Sequence, residues 1–201
     1  MKNIIFLTVF CLLSINSCNS QNKENQKKIG SGAFHLEKIT FKENKDTLFS
    51  MVNPILESNK YSNIDIYFIE SDEEITMLGN QLLDFSRMDW YINKDKKNII
   101  ALEIFSSKLT GKNYENVLTF LKNKFEKIDL TNQKIFSISK KILKAYTNTY
   151  LFKGNDKYIL IDHTIFEKSK NDDTFRIRIY KYPFDESLIK ENLIDKSILN
   201  K

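Results

Sequence analysis

The sequence predicts an α+β domain, a mainly antiparallel sheet of about six or seven strands backed by three or four helices. Several short stretches alternate apolar and polar residues, and two pairs of them flank turn residues as hairpins do. A stretch near the middle of the chain instead repeats its apolar residues every three to four positions, as a helix does. Hairpin-linked strands with helices between them indicate an antiparallel sheet, because a doubly wound parallel sheet requires strict alternation of strand and helix.

The first elements are a strand, a helix and a second strand. Apolar residues within 34–41 predict the first strand. Between residues 46 and 59 the apolar positions form a helical stripe of Leu48, Phe49, Val52, Ile55 and Leu56. Pro54 is either a kink in this helix or its first residue, with Asn53 as the cap. The run 64–69, IDIYFI, predicts a strand apolar enough to be buried on both faces.

Two hairpins and a further strand are predicted after residue 84. Residues 85–93 and 98–105 read as two strands joined by a polar turn. Residues 149–153 and 157–163 pair around Gly154-Asn155-Asp156, a sequence typical of a tight hairpin turn. Residues 174–182 alternate strictly and predict the last strand of the sheet.

Two helices complete the predicted domain. The clearest one carries its apolar residues on one face, with Asn113 placed as the cap: Tyr114, Val117, Leu118, Leu121 and Phe125. Residues 134–146 suit either a helix or a strand, since their apolar spacing is helical but their β-branched content is high. A closing helix is predicted from Leu188, Ile189, Leu193, Ile194 and Ile198.

The first 17 residues predict a secretory signal peptide. Lys2 gives a positive start, the ten residues Ile4 to Leu13 form an apolar run, and mostly small or polar residues follow at 14–17. Such a run is too short for a transmembrane helix, which needs about 20 residues to cross about 30 Å of hydrocarbon. The chain is therefore expected to be exported.

The chain has only two cysteines, Cys11 within the apolar run and Cys18 just after it. Cleavage before Cys18 would leave one cysteine at the first mature position, which excludes an intramolecular disulfide. The segment Ile15-Asn16-Ser17-Cys18 resembles the lipobox of bacterial lipoprotein precursors, in which an aliphatic residue lies three before the cysteine and a small residue directly before it. The resemblance implies that Cys18 is lipidated. The alternatives are cleavage without lipidation and a spare thiol.

Residues 18–32 predict a lipidated cysteine and a flexible tether, since they are rich in Asn, Gln, Lys, Gly and Ser. Residues 33–201 then suit one globular domain. The resemblance implies a lipid-anchored protein of the cell envelope that contacts the membrane through its anchor. Asn19, directly after the cysteine, resembles the residue found at this position in lipoproteins that are sent to an outer membrane. There the domain would face the periplasm or, as an alternative, the cell surface.

The strand 174–182 offers a candidate binding face, because Arg176, Arg178, Tyr180 and Tyr182 alternate with apolar residues. Cations mixed with aromatic rings occur in proteins that bind single-stranded nucleic acid, but an exported, anchored domain is not expected to have a nucleic-acid partner. Arginine and tyrosine also suit protein contacts, which indicates an envelope protein as a partner. The alternative is an ordinary solvent-facing side of the sheet.

The sequence holds no metal-binding or nucleophile motif, and no phosphate-binding loop. We therefore expect no cofactor, and we interpret the acidic residues 71–74 as a turn or helix start and not as a metal site. The best candidate base is His163, although Asp162 beside it in a strand would point to the opposite face. The sequence favours a binding or interaction module without catalytic residues. The alternative is an envelope hydrolase that combines His163 with scattered carboxylates.

Overall fold

The fold is mostly β, with 47% strand and 19% helix, so the predicted α+β class is wrong. The computed structural model describes residues 28–57, 60–70, 76–106, 112–130, 145–166, 173–194 and 196–199. In these residues a large antiparallel sheet packs against a smaller sheet and one helix of 13 residues. The layer that the sequence assigned to several helices is therefore largely built from strands and irregular segments.

The described residues form eleven strands. They are β1 (Phe34–His35), β2 (Ile55–Glu57), β3 (Ile64–Glu70), β4 (Thr76–Leu78), β5 (Gln81–Leu83), β6 (Arg87–Asn93), β7 (Ile99–Ser106), β8 (Glu126–Ile128), β9 (Ala145–Lys153), β10 (Lys157–Phe166) and β11 (Thr174–Lys181). The main sheet has the order β2-β3-β6-β7-β11-β10-β9-β8, and every neighbouring pair is antiparallel. The small sheet has the order β1-β4-β5, with β1 and β4 parallel.

The helices are short apart from one. They are α1 (Lys45–Leu48), α2 (Lys112–Lys124), α3 (Glu186–Lys190) and α4 (Lys196–Leu199), and a 3₁₀ turn spans Leu36–Lys38. None of the described helices has both the length and the apolar character that a membrane crossing requires.

One face of the main sheet, called the inner face, carries the larger apolar core. Trp90 on β6 is fully buried there and meets the rings of Phe34 and Phe49 edge-on, at centroid distances of 5.7 and 5.8 Å. Helix α2 belongs to the same core through Val117 and Leu121, both fully buried. The segment before β2, the small sheet and α2 together cover this face.

The opposite face, called the outer face, is divided into an apolar half and a polar half. In the apolar half, Ile66 and Tyr158 are fully buried against Leu188, Ile194 and Ile198 of the C-terminal segment. Tyr61 and Leu130, which also lie outside the strands, are partly buried against the same core. The polar half carries the candidate site.

Several predicted elements are confirmed. The strand predicted at 64–69 is β3, the two hairpins are β6–β7 and β9–β10, the last strand is β11, and the clearest helix is α2. Asn113 does not cap α2, because the helix begins one residue earlier, at Lys112. The first strand is also shorter than predicted, since only Phe34–His35 is extended before the 3₁₀ turn.

The helix predicted over residues 46–59 is wrong. Helix α1 has four residues, begins after Asn44, whose side-chain oxygen accepts the Asp46 N–H at 2.9 Å, and is followed by the edge strand β2. Pro54 lies directly before β2, where its missing N–H is tolerated and where it favours an extended residue before it. Ile55 and Leu56, which completed the helical stripe, pair instead with β3.

The predicted closing helix is two short helices, α3 and α4. Asn192 between them has a φ of 54°, in the left-handed region. The Leu193 N–H donates to the Leu188 carbonyl at 2.9 Å, and the Asn192 N–H to the Ile189 carbonyl at 3.1 Å. This pair of hydrogen bonds is the Schellman arrangement that ends α3.

The structure describes only part of two predicted segments, the tether and the stretch 134–146. Ile29, within the predicted tether, is fully buried, and its N–H donates to the Leu48 carbonyl at 2.9 Å. Packing therefore extends back at least to Ile29. In the ambiguous stretch 134–146, residues 134–144 lie outside the described residues, and Ala145 and Tyr146 begin β9. The acidic residues 71–74 also lie outside them.

Candidate functional site

The polar half of the outer face joins residues from four central strands. In the register of the sheet, Asp89 on β6 lies beside Glu103 on β7, and Glu103 lies beside Arg178 on β11. Two residues earlier on β11, Arg176 lies between Phe105 on β7 and Asp162 on β10. These residues face the same side because side chains two positions apart on a strand share a face. Antiparallel pairing thus gathers charges that are far apart in the sequence.

The two arginines of β11 are each paired with an acid on a neighbouring strand. Arg176 donates through Nε to one oxygen of Glu103, and the Tyr91 hydroxyl donates to the other at 2.9 Å. Arg178 donates through Nη2 to Asp162. Glu103 is 4% exposed, so its charge is stabilised by these two partners and not by water.

A third arginine completes the set of pairs. Arg87 on β6 donates through Nη2 to Glu57 at 2.6 Å and through Nε to the nearly buried Asp89. Its guanidinium also lies over the Phe68 ring, 4.1 Å from the centroid. We call the seven residues of these pairs the charged network: Glu57, Arg87, Asp89, Glu103, Asp162, Arg176 and Arg178.

A pocket of about 160 Å³ opens between the charged network and the C-terminal segment. Its charged lining is Lys60, Asp89, Glu103, Arg176 and Arg178. The other lining residues are Tyr61, Tyr91, Ala101, Leu102, Phe105, Tyr180, Leu188 and Leu193. The pocket lining therefore combines charged groups with apolar and aromatic groups.

The position of the pocket follows from one small side chain. In the register of the sheet, Ala101 on β7 lies between Tyr91 on β6 and Tyr180 on β11. A methyl group between two large rings leaves a depression in the outer face. The loop at Tyr61 and the C-terminal residues Leu188 and Leu193 form its walls.

Hydrogen bonds of Glu191 and Tyr180 hold the apolar walls of the pocket in place. The Glu191 carboxylate accepts from the Ser62 hydroxyl at 2.6 Å and from the Ser62 and Asn63 N–H groups at 3.1 and 3.2 Å. These hydrogen bonds lower the pKa of Glu191. The Tyr180 hydroxyl donates to the Leu193 carbonyl at 3.2 Å. The C-terminal part of the wall is thus joined to the loop at Tyr61 through Glu191 and to the sheet through Tyr180.

Burial perturbs the titration of several groups at the pocket. It raises the pKa of Asp89 above its ordinary value, although the Arg87 ion pair opposes the change. Burial likewise raises the pKa of Tyr91 and Tyr180, and it lowers the pKa of Arg176. A surface where burial opposes charge retains its charged groups only because they are paired.

No protein family, curated protein or solved structure matches this chain. The role of the pocket is therefore inferred from the chemistry of its own residues.

Three of the four residues of the predicted binding face line the pocket. They are Arg176, Arg178 and Tyr180, and Tyr182 is the exception. Tyr182 lies just beyond β11 and contacts Tyr158 and Phe184 at centroid distances of 5.2 and 5.9 Å. The face is not uniformly exposed, because Tyr180 is 3% exposed and the Arg178 side chain 14%.

His163 lies on the inner face, away from the pocket. Its ring stacks on Phe175 at 4.3 Å and contacts Tyr114 of α2 at 4.5 Å. Its Nε2 lies 2.9 Å from Asp173, a partner that the sequence did not indicate. Asp162 points to the outer face, where it pairs with Arg178, as the alternation of strand residues predicts.

The described residues contain no group of three or more His, Cys, Asp or Glu side chains arranged to hold a metal ion. The acids of the charged network are paired with arginines instead.

Sequence reasoning missed most of the pocket. Glu103 and Asp89 were available as signals, because each is a charged residue within an otherwise apolar strand. A buried acid inside a strand needs a basic partner, and the candidates were Arg87 for Asp89 and the arginines of residues 174–182 for Glu103. Ala101 carried no signal, since its importance depends on which residues lie beside it in the sheet.

Proposed function

We propose that the protein is a lipid-anchored lipoprotein of the cell envelope whose domain binds an envelope component at the outer-face pocket. The observation that supports binding is the pocket itself, which combines Arg176 and Arg178 with aromatic walls on a rigid sheet. The anchor is proposed from the signal peptide and the lipobox-like Cys18.

The state of the charged groups favours binding over catalysis. A general base needs a free lone pair within hydrogen-bond reach of a substrate proton. Glu103 accepts hydrogen bonds from Arg176 and Tyr91, and Asp89 accepts one from Arg87, so each acid shares its lone pairs with a partner that favours the charged form and makes it a weaker base. The arginines retain unused N–H donors, which suit recognition of a ligand acceptor.

Site-specific photocrosslinking in living cells tests this proposal. A photoreactive amino acid replaces Phe105, which lines the pocket and is 37% exposed. The matched control replaces Leu82 on β5, an exposed apolar residue of the small sheet (59%). We expect a reproducible covalent adduct at position 105, detected by mass spectrometry of the purified protein for small and large ligands alike, and no adduct of the same mass at position 82. Identical crosslinks from both positions, or none from either, would contradict a binding role for the pocket.

An envelope hydrolase is the second candidate, and the His163–Asp173 hydrogen bond of 2.9 Å is the observation in its favour. A carboxylate that orients a histidine is part of many nucleophilic sites. The variant His163→Phe tests this, because phenylalanine preserves the stacking on Phe175 but removes both ring nitrogens. We expect the crosslink at position 105 and the cellular function to persist. Loss of function in a folded variant would support the hydrolase instead.

A further inference from the structure

We propose that the ligand of the pocket is a small organic carboxylate, held by Arg176 and Arg178 through its charged group and by the apolar walls through an apolar body. This inference rests on the proposed binding function and names its ligand class. Three features of the pocket support it: unused guanidinium donors, the balance of charge, and the chemistry of the walls.

The first feature is the set of unused donors. A guanidinium has five N–H donors, and Arg178 uses part of them for Asp162, through Nη2, and for the Tyr180 side chain. Its Nε is buried and has no acceptor among the described residues. Arg176 uses Nε for Glu103, and its side chain is 44% exposed, so its terminal nitrogens remain accessible. Two neighbouring guanidinium groups with unused donors match the planar, two-oxygen geometry of a carboxylate.

The second feature is the charge of the lining. Lys60, Arg176 and Arg178 supply three positive charges, and Asp89 and Glu103 supply two negative ones. Their ion-pair partners Glu57, Arg87 and Asp162 bring the total to four positive and four negative charges, so the site is balanced before a ligand binds. A monoanionic ligand adds one negative charge to this balanced set. A dianion such as a phosphate monoester would add a second negative charge beside two buried acids, and that repulsion favours the monoanion.

The third feature is the apolar and aromatic part of the lining. Tyr61, Leu188 and Leu193 offer an aromatic ring and two branched side chains, with the methyl group of Ala101 beneath them. The pocket of about 160 Å³ is smaller than the roughly 300–1,000 Å³ of sites for drug-sized ligands. It therefore suits a body the size of one aromatic or branched side chain, attached to the carboxylate.

Titration of the full chain, purified in detergent, tests the ligand class by calorimetry. Phenylacetate has the expected parts, phenethylamine replaces its anion by a cation, and phenyl phosphate replaces it by a dianion. We expect phenylacetate to bind at least about tenfold more tightly than either, since one charge-assisted hydrogen-bond pair amounts to about that factor. Equal affinity for the three, or tighter binding of phenethylamine or phenyl phosphate, would overturn the proposal.

Variants locate the binding. Arg176→Gln removes a pocket cation at a partly exposed position, and we expect about a tenfold loss of phenylacetate affinity. Lys181→Gln is the matched control, because it removes one positive charge from the same strand outside the pocket lining and should leave the affinity unchanged. Ala101→Leu fills the depression without a change of charge and should abolish binding. If Ala101→Leu fails to fold, as judged by its circular dichroism, Arg176→Gln still decides the question.

Two further probes separate a free small carboxylate from the terminal carboxylate of a peptide. N-acetylphenylalanine mimics a peptide terminus, and its amide lacks the charge. Binding of N-acetylphenylalanine but not of its amide supports the carboxylate. Tighter binding of N-acetylphenylalanine than of phenylacetate indicates a peptide terminus as the source, and weaker binding indicates a free small carboxylate. If no carboxylate binds while the position-105 crosslink still forms, the ligand class is wrong and the binding function stands. If the crosslink is also absent, both proposals fail.

Discussion

The side-chain amide of Asn93 donates to the carboxylate of Asp185 at 3.0 Å, which joins the β6–β7 turn to the first turn of α3. The same amide nitrogen donates to the Ser187 hydroxyl at 2.8 Å, and the Asn93 side-chain oxygen accepts the N–H groups of Asp95 and Lys96 at 3.0 and 2.8 Å. A single asparagine thus shapes the turn and holds the C-terminal segment against the sheet.

Asn93→Ala should lower the free energy of unfolding by about 2 kcal/mol, because it removes buried hydrogen bonds and leaves the Ser187 hydroxyl without its donor. Urea denaturation followed by circular dichroism measures the change. Asn155→Ala is the control, since Asn155 is an exposed asparagine in the other hairpin turn, and we expect a change within about 0.5 kcal/mol there. Equal effects of the two substitutions would show that the Asn93 contacts contribute nothing specific.

The stability of the fold should depend on pH through Asp185. Burial raises the pKa of this carboxyl, but hydrogen bonds from the Ser187 N–H, Lys96 and Asn93 outweigh it and lower the pKa to about 2 from 3.8. A lowered pKa in the folded state means that the carboxylate stabilises the fold above about pH 4 and that this effect is lost as the pH falls toward 2.

Asp185→Asn isolates that contribution, because asparagine is also a good helix N-cap. We expect the variant to be less stable than the wild type by roughly 1 kcal/mol at neutral pH, since it loses the charge-assisted hydrogen bond to Lys96. The difference should shrink between about pH 4 and pH 2 in denaturation curves. A difference that is constant with pH would exclude the ionised carboxylate as its source.

Gly79→Ala should destabilise the protein strongly. Gly79 follows β4 with a φ of 61°, and a Cβ there would lie 2.7 Å from the Phe120 ring of α2. The expected loss is about 2 kcal/mol or more, from left-handed backbone strain and the steric clash together. Gly32→Ala is the control, because Gly32 also has a positive φ but its Cβ would meet nothing within 4 Å. Thermal unfolding of the two variants separates the clash from the backbone term.

Cys18→Ser should release the protein from the membrane fraction. The expected reason is loss of the acyl chains, which stabilise membrane association by about 0.8 kcal/mol for each buried CH₂ group. Cell fractionation with a high-salt wash measures the distribution. Cys11→Ser is the control, since Cys11 lies within the proposed signal peptide and its replacement should leave the protein in the membrane. Retention of Cys18→Ser in the washed pellet would contradict the anchor.

Local patterns predicted the six long strands of the main sheet and the long helix, but they missed the short strands β2, β4, β5 and β8, where contacts distant in sequence decide the structure. Residues 174–182 alternate so strictly that their strand and the side of each residue followed directly. The stripe at 46–59 was misinterpreted because Ile55 and Leu56 fit a helix and an edge strand equally well, and pairing with β3 decides between them.

The sequence predicted only some residues of the candidate site. Arg176, Arg178 and Tyr180 were identified from one strand, because alternation depends only on neighbouring residues. Glu103 and Ala101 were not, because their roles depend on the order of strands in the sheet, which the sequence did not provide. Asp173 was missed as the partner of His163 because it directly precedes β11, and only the pairing of β11 with β10 brings the two side chains together.

The last strand in the sequence, β11, lies in the interior of the main sheet, between β7 and β10. The strands before it form two separate blocks, β2-β3-β6-β7 and β10-β9-β8, and only β11 hydrogen-bonds to both. During synthesis on the ribosome the sheet cannot close until nearly the whole chain has emerged, and such late, long-range pairing is slow. This order of events fits the export proposed from the signal peptide, since an exported chain crosses the membrane before it folds.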